Sequence, residues 1–298
     1  MSNVDWIAVD WGTTNLRVWG MSDSGTVLQE ATSDKGMGCL AKTDFEPTLL
    51  DMVSDWIDSK TPVIGCGMLG SRQGWAEAGY ASTPCPALAG SFAKAATQDP
   101  RLDVHIIPGI SQTSPADVMR GEETQIAGFL ALNPNWDGVL CLPGSHTKWV
   151  HVSADEVVSF QTLMTGELFA AISETTVLRH SVDDGWDGVS FDSGVAYGMA
   201  RPERIAARLF SLRAEALLHD LPKPAARARL SGLLIGIELA ATKPYWLGQN
   251  VAIIGESKLS TFYASALALQ GVQATQAKVD RITLAGLTAA YRKWKDAL

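Results

Sequence analysis

No run of lysine or arginine stands out in the 298 residues, and 24 basic side chains face 32 acidic ones, for a formal net charge of −8. A polyanion-binding surface needs clustered positive charge, so neither nucleic acid nor an anionic membrane is expected as a partner. Long apolar stretches are also missing. No segment approaches the roughly 20 residues that span a bilayer, and the opening MSNVDWIAVDW has no basic n-region. A soluble, cytoplasmic chain is expected. Cysteine is sparse and scattered: Cys39, Cys66, Cys85 and Cys141 form no CxxC pair and have no histidine at zinc spacing. Reduced thiols are therefore expected, and a structural zinc is not. No low-complexity tract divides the chain. The acidic total leaves a small anionic substrate open, because the field inside a cleft is set locally.

What the chain does have is apolar bulk. Hydrophobic residues make up 46% against 19% charged, with ten Trp and eight Phe, enough for a large core. At this length two domains of roughly 150 residues each are expected. Apolar patterns broken by Gly-Thr-Thr and Ser-Gly turns predict strands at 6–10, 16–21 and 26–31. Phe45, Leu49, Met52, Val53 and Trp56 share one helical face, predicting a helix over 44–59. Strands are predicted at 62–68 and 104–108, then a helix over 116–132.

At Gly138 the opening pattern returns. GVLCLPGSHTKWVHVSADEVVSF repeats strand, Gly-hydroxyl turn, strand, short turn and strand, aligning Gly12 with Gly144, Thr13 with Ser145 and Val18 with Val150. The second copy has Leu142 where the first has Asp10, so only one of the two turns carries a carboxylate. Helices are predicted over 166–179, 194–219 and 225–242, a buried strand at 251–254, a helix over 257–269 and a closing helix over 281–295. Strands alternating with helices argue an α/β fold.

Five constellations carry candidate chemistry. In Asp10-Trp11-Gly12-Thr13-Thr14-Asn15 a small turn can point N–H and O–H donors at a phosphate, while the carboxylate can hold Mg²⁺ directly or through water. Pro143-Gly144-Ser145-His146-Thr147-Lys148 is the matching turn: its hydroxyls can receive further phosphates, and Lys148 can add charge. His146 could act as a base, but no carboxylate orienter is visible nearby in the sequence. Arg120-Gly121-Glu122-Glu123-Thr124-Gln125 lies between the two turns; transfer to a hydroxyl needs a carboxylate to accept its proton. The Gly-rich stretch ending in Arg72-Gln73-Gly74-Trp75 offers a fork for a carboxylate, an amide for hydroxyls and an apolar wall. Gly255-Glu256-Ser257, where a buried strand meets a helix, can flank a nucleoside.

In this order the motifs resemble the actin/hexokinase/Hsp70 superfamily, with its phosphate-1 hairpin, phosphate-2 hairpin and late adenosine motif. VDWGTTNLR is similar to the opening of the glycerol- and xylulose-type carbohydrate kinases, including the Thr pair and Arg17, which the resemblance places with the substrate. GEETQIAGF sits where those kinases carry their catalytic acid, which points to Glu122; a Gly-x-Glu-Glu-Ala stretch in exopolyphosphatases keeps Glu123 open. SRQGW falls where the sugar kinases contact substrate hydroxyls, pointing to Arg72 and Gln73, with Trp75 shaping the pocket.

GMLGSRQGW, the Pro84-Cys85-Pro86 triplet, RGEETQ, LPGSHTKWV and SGLLIGIELA together are similar to the 2-dehydro-3-deoxygalactonokinase family. The resemblance implies a two-domain, actin-like (ribonuclease H-like) α/β fold with duplicated β-β-β modules. It also implies ATP and Mg²⁺ as cofactors and phosphorylation of the 6-hydroxyl of 2-dehydro-3-deoxy-D-galactonate, a small sugar acid. Domain I is expected over 1–130 with a returning helix at 281–298, and domain II over 131–280. Glu replaces the better-known kinases' Asp at the presumed base, adding one methylene of reach. Their substrate-domain insertions are absent, so their detailed sugar contacts do not carry over. An exopolyphosphatase-like phosphohydrolase and a non-catalytic, nucleotide-dependent scaffold stay open. So do galacto against gluco stereochemistry and a homodimeric assembly.

Overall fold

The computed structural model describes residues 4–297. The chain forms two compact units: one takes in the chain up to Trp136, Val152–Ser159 and the segment from Val279; the other comprises Asp137–His151 and Phe160–Lys278.

The first unit is built on a mixed six-stranded sheet in the order Val27–Ser33, Leu16–Met21, Trp6–Trp11, Thr61–Gly67, Leu102–Ile106, Ala93–Lys94. Its central strand Trp6–Trp11 is buried on both faces, and the two-residue period sorts its side chains. Ile7, Val9 and Trp11 join Phe45 and Leu49 of the helix Phe45–Val53 on one face. Trp6 and Ala8 join the closing helix Val279–Asp296 on the other, with Trp6 stacked on Tyr291 at 4.4 Å. The helix Glu122–Leu132 crosses the closing helix at glycine. A Cβ on Gly128 would fall 2.0 Å from the Ile282 carbonyl, and one on Gly286 would fall 1.9 Å from that of Thr124.

The helix expected over 116–132 needs correction. Ala116–Met119 is a strand, antiparallel to Gly109–Thr113, which also pairs with Tyr80–Ser82 in a small sheet. Gly121, at φ +105°, makes the sharp change of direction from this hairpin into the helix, a conformation that side chains with a Cβ resist.

The second unit carries the repeat: Gly138–Leu142, Thr147–Ser153 and Glu156–Leu163 are consecutive strands, flanked in the sheet by Val251–Gly255 and then Thr275–Lys278. The hairpin tip at Val152–Ser159 groups with the first unit, where Glu156 and Val157 pair with Pro86 and Cys85. The helices Gly188–Ala200 and Lys223–Ala241 meet through Gly194 and Gly232, where a Cβ would fall 2.6 Å from the Arg229 carbonyl and 2.2 Å from that of Phe191. The helix expected over 194–219 is two helices, Gly188–Ala200 and Ile205–Leu218. Pro202 has no N–H to continue the first and opens the short 3₁₀ turn Pro202–Arg204 instead. The one expected over 166–179 likewise divides into Thr165–Thr175 and a 3₁₀ turn, Val177–His180, whose start is capped by the Thr176 hydroxyl. All four cysteines are free. Among the described residues no helix is long and apolar enough to cross a membrane.

Candidate active site

Asp10 stands opposite Arg17 on its antiparallel neighbour and opposite Cys66 on its parallel one, so strand register alone brings the three together. The Arg17 guanidinium donates to Asp10 Oδ2 from Nε at 3.1 Å and from Nη2 at 2.5 Å, and its Nη1 pairs with Asp280. Burial works against the Arg17 cation, but the charges and hydrogen bonds of these carboxylates outweigh it and raise its pKa. The Cys66 thiol lies 3.6 Å from Asp10 Oδ1. Burial, then the charges of Asp10 and Glu123, push that thiol well above the usual range.

The turn after Asp10 is closed by Gly12 N–H donating to Asn15 O at 2.8 Å, and Thr13, Thr14 and Asn15 are exposed. Its carbonyls are taken up from behind: Met37 N–H donates to Gly12 O at 3.0 Å and Gly38 N–H to Thr13 O at 2.9 Å. Gly36 makes this approach possible, since a Cβ there would lie 2.3 Å from the Thr14 carbonyl carbon. Asp10, Gly12, Thr14, Asn15, Arg17 and Asp34 line the cavity in front.

The two acids differ sharply. Gly121 and Gly67 are in contact, a Cβ on the former falling 3.3 Å from the latter's Cα, and one on Gly67 falling 3.6 Å from Asp10 Oδ1. The first turn of the helix Glu122–Leu132 is thereby held beside the Asp10 strand. Glu122 is half-buried, and its Oε2 accepts from Arg120 N–H at 3.0 Å. Glu123 is wholly buried, accepting from Gly121 N–H at 2.6 Å on Oε2 and from the Thr124 hydroxyl at 3.0 Å on Oε1. Burial, and next the charge of Glu122, push its carboxyl up to about 8 against those hydrogen bonds. At neutral pH Glu123 therefore keeps its proton, while Glu122 touches solvent.

In the second unit the turn Gly144–His146 is backed by the helix Thr165–Thr175. Glu167 N–H donates to Ser145 O at 2.9 Å, and a Cβ on Gly166 would fall 2.3 Å from Gly144 O. The absence of an orienter for His146 is corrected: its Nε2 lies 2.5 Å from Glu167 Oε2, a partner 21 residues away in sequence. Lys148 is 5% exposed and Thr147 is fully buried, its hydroxyl 2.8 Å from that of Tyr263. Beside this turn opens a cavity of about 230 Å³ whose lining includes Thr165, Trp186, Arg227, Glu256, Phe262 and Tyr263. Trp186 and Phe262 stack at 4.0 Å and 10°. Glu256 caps the helix Ser257–Ala268, accepting from Leu259 N–H at 3.1 Å, and Gly255 packs against Pro143. Of this lining, the sequence motifs reached Gly144, Glu256 and, within SGLLIGIELA, Ser231, Leu234 and Ile235; no motif marks Trp186, Arg227 or Phe262, which come from separate segments.

Arg72 and Gln73 are exposed, Arg72 lying 3.6 Å from Glu77. Trp75 lies in the core, 8% exposed, its ring 6.3 Å from Phe45 and its indole N–H donating to Ala96 O at 3.3 Å. It anchors the loop instead of walling a pocket. Among the described residues no three His, Cys, Asp or Glu side chains converge as a metal cage. Mg²⁺ bound chiefly through phosphates and water needs only one or two carboxylates, and Asp10 fits that requirement.

The 2-keto-3-deoxy-galactonokinase family model matches residues 10–290. The chain is 41% identical over 295 residues to a probable 2-dehydro-3-deoxygalactonokinase of Rhizobium meliloti (strain 1021), covering 96% of each. It is 33% identical over 288 residues to the 2-dehydro-3-deoxygalactonokinase of Escherichia coli (strain K12), covering 95% of this chain and 96% of that one. A crystal structure of a candidate 2-dehydro-3-deoxygalactonokinase protein from Sinorhizobium meliloti superposes with a TM-score of 0.90 at 39% identity, over 97% of this chain and 96% of the other. The actin-like α/β fold expected from the sequence holds. With near full-length agreement in sequence and in fold, the chain belongs to the 2-keto-3-deoxy-galactonokinase family.

Proposed function

We propose that this protein transfers the γ-phosphoryl group of ATP to the 6-hydroxyl of 2-dehydro-3-deoxy-D-galactonate, giving 2-dehydro-3-deoxy-6-phosphogalactonate and ADP. The observation that carries the mechanism is the unequal pair of acids at the head of one helix: Glu123 fully buried with both oxygens accepting hydrogen bonds, Glu122 half-buried and reaching solvent. Glu122 accepts the hydroxyl proton as the O6–P bond forms and the P–O bond to ADP breaks. Thr13, Thr14 and Asn15 on one turn, and Ser145, His146 and Lys148 on the other, hold phosphate oxygens. Asp10, oriented by the two hydrogen bonds from Arg17, would hold Mg²⁺, which would supply charge neutralisation at the phosphates. Arg17 thus acts through Asp10, a different role from the sugar contact the resemblance implied.

The cavity bearing the Trp186–Phe262 stack takes the adenosine, with Gly255-Glu256-Ser257 at its edge. Arg72, exposed and loosely paired, is available for the substrate carboxylate, with Gln73 for a hydroxyl. A cytoplasmic location goes with ATP as donor. ADP formation measured against a panel of sugar acids, with free phosphate followed in parallel, tests this reading. ADP that depends on the deoxy keto acid is expected. Phosphate released without an acceptor would establish a hydrolase, and equal rates on the galacto and gluco acids would remove the stereochemical assignment.

A further inference from the structure

Behind the second phosphate turn lies a carboxylate that the reaction as described does not use. Glu238, in the helix Lys223–Ala241, is 1% exposed. Donors converge on it from three other elements. Trp149 Nε1–H donates to Oε1 at 2.8 Å, the Tyr263 hydroxyl donates to Oε2 at 2.8 Å, and the Thr165 hydroxyl also donates to Oε2. The hydroxyls of Tyr263 and Thr147 lie 2.8 Å apart, which ties Thr147 to the same carboxylate. Thr147 also acts on Glu238 directly, so the three groups form one cluster.

Two arms of this network reach the residues read as the nucleotide site. Thr147 opens the strand that leaves the phosphate turn, while Thr165 and Tyr263 line the cavity beside it. A buried carboxylate carries a desolvation cost that an apolar residue of similar size would avoid, so stability alone does not explain its presence. Fixing several groups in one arrangement does, because its two oxygens accept from donors on three different elements.

We propose that Glu238 is the positioning residue of the nucleotide site, setting Thr147, Thr165 and Tyr263 in the single geometry that receives an adenine nucleotide. The proposal rests on the reading of the Trp186–Phe262 cavity as the adenosine site. Its test uses the full chain with Glu238→Gln, which keeps the shape but offers one acceptor oxygen, and Tyr263→Phe, which keeps the ring and removes the hydroxyl's bonds to Glu238 and Thr147. Trp186→Ala serves as the probe of the cavity itself. Calorimetric Kd values for ADP and adenosine, KM values for ATP and the sugar acid, and Tm are measured for each.

Glutamine turns one of the two acceptor oxygens into a donor and so breaks at least one of these hydrogen bonds, which predicts that Glu238→Gln weakens ADP about tenfold, with the sugar acid KM held within about twofold. Tyr263→Phe should weaken ADP in the same direction, and it carries the test if the Gln variant does not fold. Folded variants that bind ADP as the wild type does, or that lose ATP and sugar acid in equal proportion, overturn the proposal. If Trp186→Ala binds ADP and adenosine like the wild type, the cavity reading fails and the proposal falls with it. If Trp186→Ala loses ADP while Glu238→Gln and Tyr263→Phe keep it, only the role of Glu238 fails.

Discussion

Replacing Glu123 by Gln removes a titrating group from a site that holds it neutral, and the consequence is a pH-dependent gain in stability. The folded carboxyl sits at about 8 against 4.5 for the free side chain, with burial as the main cause. Between those values the folded chain keeps a proton that the unfolded chain releases, so stability falls as pH rises through this window and levels off above it. At about 1.4 kcal/mol per pH unit, the Glu123 contribution costs roughly 3 kcal/mol at pH 7 and roughly 5 kcal/mol above pH 8.

Glutamine reproduces the neutral form. Its oxygen can accept from Gly121 N–H, and its amide can donate to the Thr124 hydroxyl, so about 1 kcal/mol of hydrogen-bond rearrangement is the expected offset. Denaturant titrations of both proteins should therefore nearly coincide at pH 4.5, with the Gln variant ahead by about 2 kcal/mol at pH 7 and more at pH 8. Turnover measured on the same preparations completes the assay. With Glu122 as the base, the variant should retain activity within a few-fold. A stability difference that does not change with pH refutes the buried, protonated state, and a stable variant with turnover down by about 10² moves the base to Glu123.

Glu122→Gln should lower turnover by about 10² or more while ADP affinity, read by calorimetry, is largely kept. The same substitution removes the second cause of the raised Glu123 pKa, so the steep part of the stability–pH curve should move to lower pH. Asp10→Asn keeps an acceptor for Arg17 but loses the charge; activity titrated with Mg²⁺ should show a weakened metal requirement site, and an unchanged titration removes Asp10 from that role. Arg72→Ala should raise KM for the sugar acid more than for its neutral analogue, since an 82% exposed side chain has little structural role to lose; equal effects on both would count against a carboxylate contact.

Where local pattern and burial agree, the sequence was readable. Trp6–Trp11 and Leu16–Met21 show as strands because their apolar runs are bounded by turn residues, and the repeat shows because Gly12 and Gly144 occupy the same place in it. Ala116–Met119 did not show, because its strand state depends on pairing with Gly109–Thr113 and on the reversal at Gly121, neither of which has a periodic signature. Pro202 marks the split in the sequence, but helical periodicity on both sides outweighs that single residue. In the site, Asp10 was legible as a carboxylate beside a Gly-Thr turn. Its ion pair with Arg17 follows from register, and the pair of His146 with Glu167 from a helix packed behind the turn, so neither could be read from spacing.

The repeat itself extends further than its three strands. In each copy the chain leaves the third strand and returns behind the Gly-hydroxyl turn, with a glycine at the point of closest approach: Gly36 in the first and Gly166 in the second. In each, the next backbone donors bond to the turn, and the carbonyls of the aligned residues Thr13 and Ser145 both accept N–H groups at 2.9 Å, from Gly38 and Glu167. A turn that offers donors to a phosphate must point its carbonyls the other way, and those carbonyls then need partners. The returning segment supplies them, which makes it a working part of the module and not a connection. The copies differ in what the glycine leads into. Gly36 precedes the short 3₁₀ turn Met37–Cys39, whereas Gly166 lies in the first turn of the helix Thr165–Thr175, whose positive end favours anions. The copy with Asp10 lacks a full helix behind its turn, and the copy without a carboxylate has one. That exchange suits a metal at the first turn and bare phosphate oxygens at the second, the division of labour proposed for them.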